Sequence, residues 1–255
     1  MNTGSVYNHL LQVRESRGGG FMILVDPDKG HENDYLATCE RAEDCGVDAI
    51  LVGSSFMLNS NFAGAVGKIK QATSLPVIIF PGSFAQITPD ADAILFSSLI
   101  SGRNPAFLID EQVKGAPLVK KYNLEAIPTG YMLIESGSLT SVQYISGSMP
   151  IPRGKSDIAC AHAMAAQYLG MRLVYLEAGS GAGRPVPLEM VRSVSSYVDI
   201  PLIVGGGLRT AQDCRDCVEA GASFVVVGNH LEADRDFSLL RQLAAATHDK
   251  DSVKV

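Results

Sequence analysis

Short apolar runs rich in Val and Ile recur along this chain, each followed by a turn and then by a stretch with helical spacing. No other feature constrains the fold as strongly. The runs cover 21–26, 49–52, 77–80, 93–96, 127–134, 173–176, 202–204 and 224–227. Near-continuous apolar strands are buried on both faces, as in a parallel sheet covered by helices, and eight of them in 255 residues point to a closed (β/α)8 barrel, with an open doubly wound sheet as the alternative. Helical spacing is found over 34–45, 62–72, 106–122, 157–169, 188–197, 211–220 and 236–246. Gly46, Gly170 and Gly221 read as helix stops, and 6–13 reads as a short helix under the barrel floor. Two places break the rhythm. The stretch 81–91 is too short and turn-prone for a regular third helix, and 135–152, rich in Ser and Gly, is a long loop or an extra strand where a barrel can place a substrate lid. The reading is a modified (β/α)8 TIM barrel, irregular at its third helix position, forming a single domain over 1–255.

A hydrophobic content of 46% supports a large core. The net charge of −6, with no dense Lys/Arg run, argues against nucleic acid. No run reaches the roughly 18 apolar residues of a membrane span, and 1–20 lacks the apolar core of a signal peptide, so a soluble cytoplasmic protein is expected. Cysteines at 39, 45, 160, 214 and 217 are odd in number and lack the spacing of a disulfide framework. Cys214 and Cys217, three apart in a helical stretch without a second pair or a nearby His, read as one packing and one surface position rather than a zinc site.

Barrel active sites gather where strands end, and the end of the sixth run carries the most chemistry. V-Y-L-E-A-G-S-G-A-G-R over 174–184 is a buried strand that stops at Glu177 and opens into Gly179, Ser180, Gly181 and Gly183. Such a loop folds tightly enough to aim N–H groups at an oxyanion. Gly205-Gly206-Gly207 and Gly228-Asn229 close the next two runs, so three consecutive strand ends suit a phosphate ester, where barrels of this kind hold one. The first run ends in Asp26-Pro27-Asp28-Lys29 and the second in Gly53-Ser54-Ser55. Asp26 and Ser55 offer hard oxygen ligands for magnesium, which completes its shell with water and substrate phosphate. An Asp-Pro turn with a solvated Asp28 explains the same residues equally well, and the spacing leaves both readings open.

V-D-P-D-K at 25–29, V-G-S-S at 52–55, Y-L-E-A-G-S-G-A at 175–182, V-G-G-G at 204–207 and V-G-N at 227–229 together resemble the geranylgeranylglyceryl phosphate synthase family. G-S-M-P-I-P-R-G-K at 147–155 resembles its branch in some archaea and in bacteria. The resemblance implies a barrel enzyme that joins a polyprenyl diphosphate, geranylgeranyl first and heptaprenyl next, to the 3-hydroxyl of sn-glycerol 1-phosphate, releasing diphosphate. It implies Asp26 and Ser55 as Mg2+ ligands. Glycerol phosphate is expected on Tyr175, Leu176, Glu177, Ala178, Gly179, Ser180 and Gly181 with Gly205, Gly206, Gly207, Gly228 and Asn229. Glu177 and Asp26 are the expected catalytic residues, Glu177 orienting the acceptor hydroxyl and taking its proton. Some members carry a basic residue where this chain has Leu24, so that contact falls to Lys29 or Lys155 or is absent. A homo-oligomer, dimer or hexamer, and transient contact with a membrane surface are further implications.

The tail needs an apolar wall, for which Ile78, Phe80, Leu95, Phe96, Tyr131, Met132 and Leu133 are candidates, although ordinary core explains each of them. The competing functions are an isomerase or lyase of a sugar or indole phosphate, with Asp26 and Glu177 as acid and base, and a catalytically silent phosphoprenyl-binding protein.

Overall fold

The computed structural model describes residues 4–29, 31–58, 61–228, 231, 234 and 236–248, and Asn229 of the expected phosphate site lies outside them. Strands β1 (Gly20–Val25), β2 (Ala49–Val52), β3 (Val77–Ile79), β4 (Ala93–Leu99), β5 (Glu125–Leu133), β6 (Leu173–Glu177), β7 (Leu202–Gly205) and β8 (Phe224–Val227) lie in chain order, all parallel. The barrel closes where β8 pairs with β1, Phe224 opposite Gly20. Alternate strand residues supply two apolar layers. Met22, Leu51, Ile78, Leu95, Ile127, Leu173, Tyr175 and Ile203 fill the interior, while Ile23, Ile50, Val77, Ile94, Val174 and Val204 pack outward under the helices. Burial on both faces is why the runs show no polar alternation.

The outer shell comprises α1 (Ser5–Arg17), α2 (Glu32–Ala42), α3 (Phe62–Ala72), α4 (Glu111–Tyr122), α5 (Ser141–Ser146), α6 (Ser156–Tyr168), α7 (Leu188–Ser195), α8 (Ala211–Glu219) and α9 (Ser238–Thr247). The three glycines expected to stop helices, Gly46, Gly170 and Gly221, have φ of +90°, +82° and +105°, conformations that favour glycine. Helix α1 is longer than expected and closes the floor through Val6, Tyr7 and Leu10. Gly4 has no side chain to cap it, so the buried Glu125 of β5 accepts from the first-turn N–H groups of Val6 and Tyr7 at 2.8 and 2.9 Å. Buried Asp48 accepts from the Phe21 N–H at 2.7 Å and pairs with Arg17 and His248 at 2.9 and 2.8 Å, tying β1, α1 and the end of α9 together.

After β3 a single 3-10 turn, Phe84–Gln86, stands where the third helix belongs. Buried Gln86 holds it: the amide oxygen accepts from Gly82 N–H at 2.9 Å and the amide nitrogen donates to Ser54 O at 2.7 Å. The expected helix over 106–122 begins as π-helix at Ala106–Asp110 before α4 takes over. The five cysteines are free and buried. Cys214 and Cys217 therefore both pack, against the expectation of one surface position, because residues three apart share a helix face. Burial pushes each of these thiols up to about 12. Among the described residues no helix is long and apolar enough to cross a membrane.

Candidate active site at the barrel mouth

The C-terminal strand ends enclose a cavity of about 400 Å³ lined by both polar and apolar side chains. Asp26, Ser55, Tyr175, Glu177, Gly179, Ser180, Gly181, Gly206, Gly207 and Gly228 line it together, although they come from five different strand ends. Leu176 and Ala178 do not line it. They pack into the layer between barrel and helices, because neighbours of Tyr175 and Glu177 in an extended chain point to the other face. Gly205 is buried beside the Tyr175 hydroxyl, which a Cβ at that position would strike.

Glu177 ends β6, and its Oε1 accepts from the Gly179 N–H at 2.6 Å. Burial raises its pKa to about 7, against the smaller lowering effects of the Gly179 N–H and the Tyr175 hydroxyl. Tyr175 and Tyr131 are held well above the usual phenol range, by burial first and by the charge of Glu177 second. The Tyr175 hydroxyl lies near enough to Glu177 for this coupling but makes no hydrogen bond of ordinary geometry. It is a buried donor with unused capacity. Phe80 stacks on Tyr175 at 5.1 Å between ring centroids, and Tyr131 meets both rings edge-on at 5.6 Å.

The glycines do more than turn the chain. Gly179 and Gly206 have φ of +101° and +82°. A Cβ on Gly206 would strike the Glu177 carboxylate and the Gly179 backbone, and one on Gly179 would run into Thr140. The phosphate-type loop and the carboxylate are thus packed as one unit.

At the end of β1 the Asp26 side chain is 7% exposed; its Oδ2 pairs with Lys29 at 3.2 Å, and its Oδ1 accepts from the Asp28 N–H at 3.1 Å. The turn is therefore formed, but Asp28 is not simply solvated as that reading expected: its Oδ2 accepts from the Leu58 N–H at 2.6 Å. No cluster of three or more His, Cys, Asp or Glu suited to a metal is found among the described residues. Asp26 and Ser55, a carboxylate and a hydroxyl, are hard oxygen donors that the first two strand ends bring to the cavity, fewer than a prebuilt cage needs.

Leu24 forms part of the cavity wall, and of the two lysines considered in its place Lys29 lines the cavity while Lys155 does not. The sequence reading missed Arg209, which also lines it and donates to Ala182 O at 3.2 Å. A cation two residues beyond the Gly205-Gly206-Gly207 triplet was the available signal.

Toward the missing third helix the lining is mainly apolar, with Phe84, Ile87, Ile94, Phe96, Phe107 and Ile145, interrupted by Ser97, Glu111 and Gln112. Of the expected wall residues, Phe80, Phe96 and Tyr131 face the cavity, whereas Ile78, Leu95, Met132 and Leu133 are core. Ile94 and Phe96 belong to the outward layer of β4, and the 3-10 turn leaves them reachable. The stretch expected to form a lid contributes α5, capped by Thr140 and presenting Val142, Ile145 and Ser146 to the cavity.

The sequence pattern of the PcrB family matches residues 11–247. A geranylgeranylglyceryl phosphate synthase of Spirosoma linguale is 45% identical over 229 residues, 90% of this chain and 91% of that protein. One of Pyrococcus abyssi is 46% identical over 233 residues, 91% and 92% of the two chains. The crystal structure of (S)-3-O-geranylgeranylglyceryl phosphate synthase from Thermoplasma acidophilum in complex with substrate sn-glycerol-1-phosphate superposes with a TM-score of 0.88 at 36% identity, covering 96% of this chain and 98% of that one. Tryptophan synthase from M. tuberculosis, with a TM-score of 0.60 at 16% identity, shares the fold alone.

Proposed function

The chain belongs to the PcrB family, and on that premise we propose that it is a prenyltransferase of the geranylgeranylglyceryl phosphate synthase type. It joins a polyprenyl diphosphate, geranylgeranyl diphosphate first, to the 3-hydroxyl of sn-glycerol 1-phosphate as an ether and releases diphosphate. One observation carries the reading. Glu177, a buried carboxylate with a pKa of about 7, sits between a glycine-lined anion cradle and an apolar groove.

The acceptor phosphate rests on the loops of Gly179, Ser180, Gly181, Gly206, Gly207 and Gly228, with Arg209 at their edge. Its glycerol then points toward Tyr175, whose hydroxyl, beside Glu177, meets an acceptor oxygen. The acceptor oxygen bonds to the allylic carbon as the carbon–oxygen bond to diphosphate breaks, and its proton passes to the Glu177 oxygen not held by Gly179. A carboxylate of pKa about 7 is a stronger base than an ordinary one and is still largely ionised just above neutrality. The Phe80, Tyr131 and Tyr175 rings exclude water beside that carbon, and the groove toward Ile87 and Phe107 takes the tail. Asp26 and Ser55 would hold magnesium, which when bound would neutralise the departing diphosphate charge.

The decisive experiment incubates the protein with labelled glycerol 1-phosphate, magnesium and polyprenyl diphosphates of several lengths. An ether product that requires magnesium supports the reading and reports tail length; metal-independent turnover of a phosphosugar with no ether supports the isomerase alternative. Sedimentation of the same protein measures whether it forms the dimer or hexamer.

A further inference from the structure

Among the described residues, the cations lining the cavity are Lys29 and Arg209, facing the carboxylates of Asp26, Glu111 and Glu177. Arg209 belongs to one side, where it holds the Ala182 carbonyl of the glycine loop. Lys29 spans the mouth. Its ammonium is 3.2 Å from Asp26 Oδ2 at the end of β1 and 3.4 Å from Ser180 Oγ in the loop after β6. One side chain thus bridges the residue assigned to the metal and the loop assigned to the acceptor phosphate.

An ion pair three residues apart is often no more than a surface contact of small worth. Two facts set this one apart. The Asp26 side chain is only 7% exposed while that of Lys29 is 41% exposed, so the acid is fixed and the cation has room to swing. The second contact of Lys29 is 151 residues away in sequence, across the cavity. An ammonium on a four-carbon stem is a mobile point charge and follows the stronger field, and a phosphate dianion beside Ser180 outcompetes a hydroxyl dipole.

Resting on the functional reading above, we infer that Lys29 is a positioning residue that makes the two charged ligands bind interdependently. With the acceptor loop empty it pairs with Asp26. When glycerol 1-phosphate fills the loop it moves to the phosphate and leaves the carboxylate to a divalent cation. Departure of Lys29 removes both a competitor and a positive charge from the cation site. Linkage requires the reverse as well: a divalent cation on Asp26 strengthens acceptor binding by the same factor.

The test uses the full chain without prenyl diphosphate. Manganese, standing in for magnesium, is titrated with and without glycerol 1-phosphate, and free ion is counted by paramagnetic resonance. In the wild type the acceptor tightens manganese binding by about fivefold or more, a coupling of ordinary size. In Lys29→Met manganese binds more tightly than in the wild type when no acceptor is present, glycerol 1-phosphate binds more weakly, and the coupling falls below about twofold. Lys29→Arg, which keeps the charge, restores part of the coupling. A wild type without coupling, or a Lys29→Met protein that keeps it, overturns the role given to Lys29. A wild type that fails to bind glycerol 1-phosphate at all overturns instead the functional reading on which this role stands.

Discussion

The floor and the mouth of this barrel are both built around buried carboxylates, put to opposite uses. On the floor, Glu125 accepts from two backbone N–H groups of α1, and Asp48 from one N–H while pairing with Arg17 and His248. Their acceptor capacity is spent on holding the chain. At the mouth Glu177 accepts from one backbone N–H, its pKa is raised to about 7, and the tyrosine hydroxyl beside it has no hydrogen bond of ordinary geometry. A carboxylate becomes structural when the fold satisfies it and reactive when the fold leaves an oxygen for a ligand.

The largest expected break in this comparison is Glu177→Gln. It keeps the shape and the capacity to accept from Gly179 but removes the base, so kcat falls by about a hundredfold to ten-thousandfold. Glycerol 1-phosphate affinity, measured by calorimetry, changes far less. Activity near wild type would sink the role given to Glu177.

Gly206→Ala comes next. A Cβ there meets Glu177 and Gly179, at a φ of +82° that favours glycine. Acceptor affinity should drop by roughly tenfold or more, a loss of at least about 1.4 kcal/mol. The melting temperature should fall as well, since the added Cβ meets the Gly179 backbone. An acceptor affinity equal to wild type would show that the loop and the carboxylate are not one unit.

On the floor, Glu125→Ala leaves the Val6 and Tyr7 N–H groups without their acceptor and should cost about 1–3 kcal/mol of stability. Turnover per folded molecule should be unchanged, as read from denaturant curves and kinetics on the same sample. Loss of turnover without loss of stability would contradict the division between floor and mouth.

The pH profile separates the two regions further. The base is active when ionised, so kcat/KM should rise about tenfold per unit below pH 7 and level off above it. Stability carries the opposite sign. Because burial raises the Glu177 pKa from an ordinary 4.5 to about 7, the unfolded chain loses this proton first, and the contribution of the protonated side chain fades between those values as pH rises. A rate profile flat from pH 5 to 8 in the wild type would exclude Glu177 as the titrating base. The smallest effect is expected from Tyr175→Phe. Stability should change little, since the hydroxyl makes no hydrogen bond of ordinary geometry and only couples to Glu177, while acceptor KM rises several-fold; an unchanged KM would remove Tyr175 from the acceptor site.

Much of this was legible in the sequence because the signals are local. The runs at 49–52 and 224–227 became β2 and β8 without adjustment, since a short Val- and Ile-rich segment between turns has few other uses. The glycine stops also took the conformations their positions required. The site was less legible. Motif resemblance assigned a continuous stretch from Tyr175 to Gly181, whereas strand alternation turns Leu176 and Ala178 away from the cavity. The apolar groove was partly missed because it uses Ile94 and Phe96 on the outer face of β4, which a regular third helix would have covered.

The chain by itself determined the number and order of strands, the irregular third position and the glycine loops at the end of β6 and beyond. These follow from apolar period and turn chemistry, both set by neighbouring residues. Only the tertiary structure decided that Glu125 and Asp48 hold distant parts of the chain while Glu177 is buried at the cavity with a raised pKa, that Lys29 reaches from Asp26 to Ser180, and that Arg209 lines the same cavity. A carboxylate's burial and a cation's partners depend on chain closure: Ser180 lies 151 residues from Lys29, and Val6 lies 119 residues from Glu125.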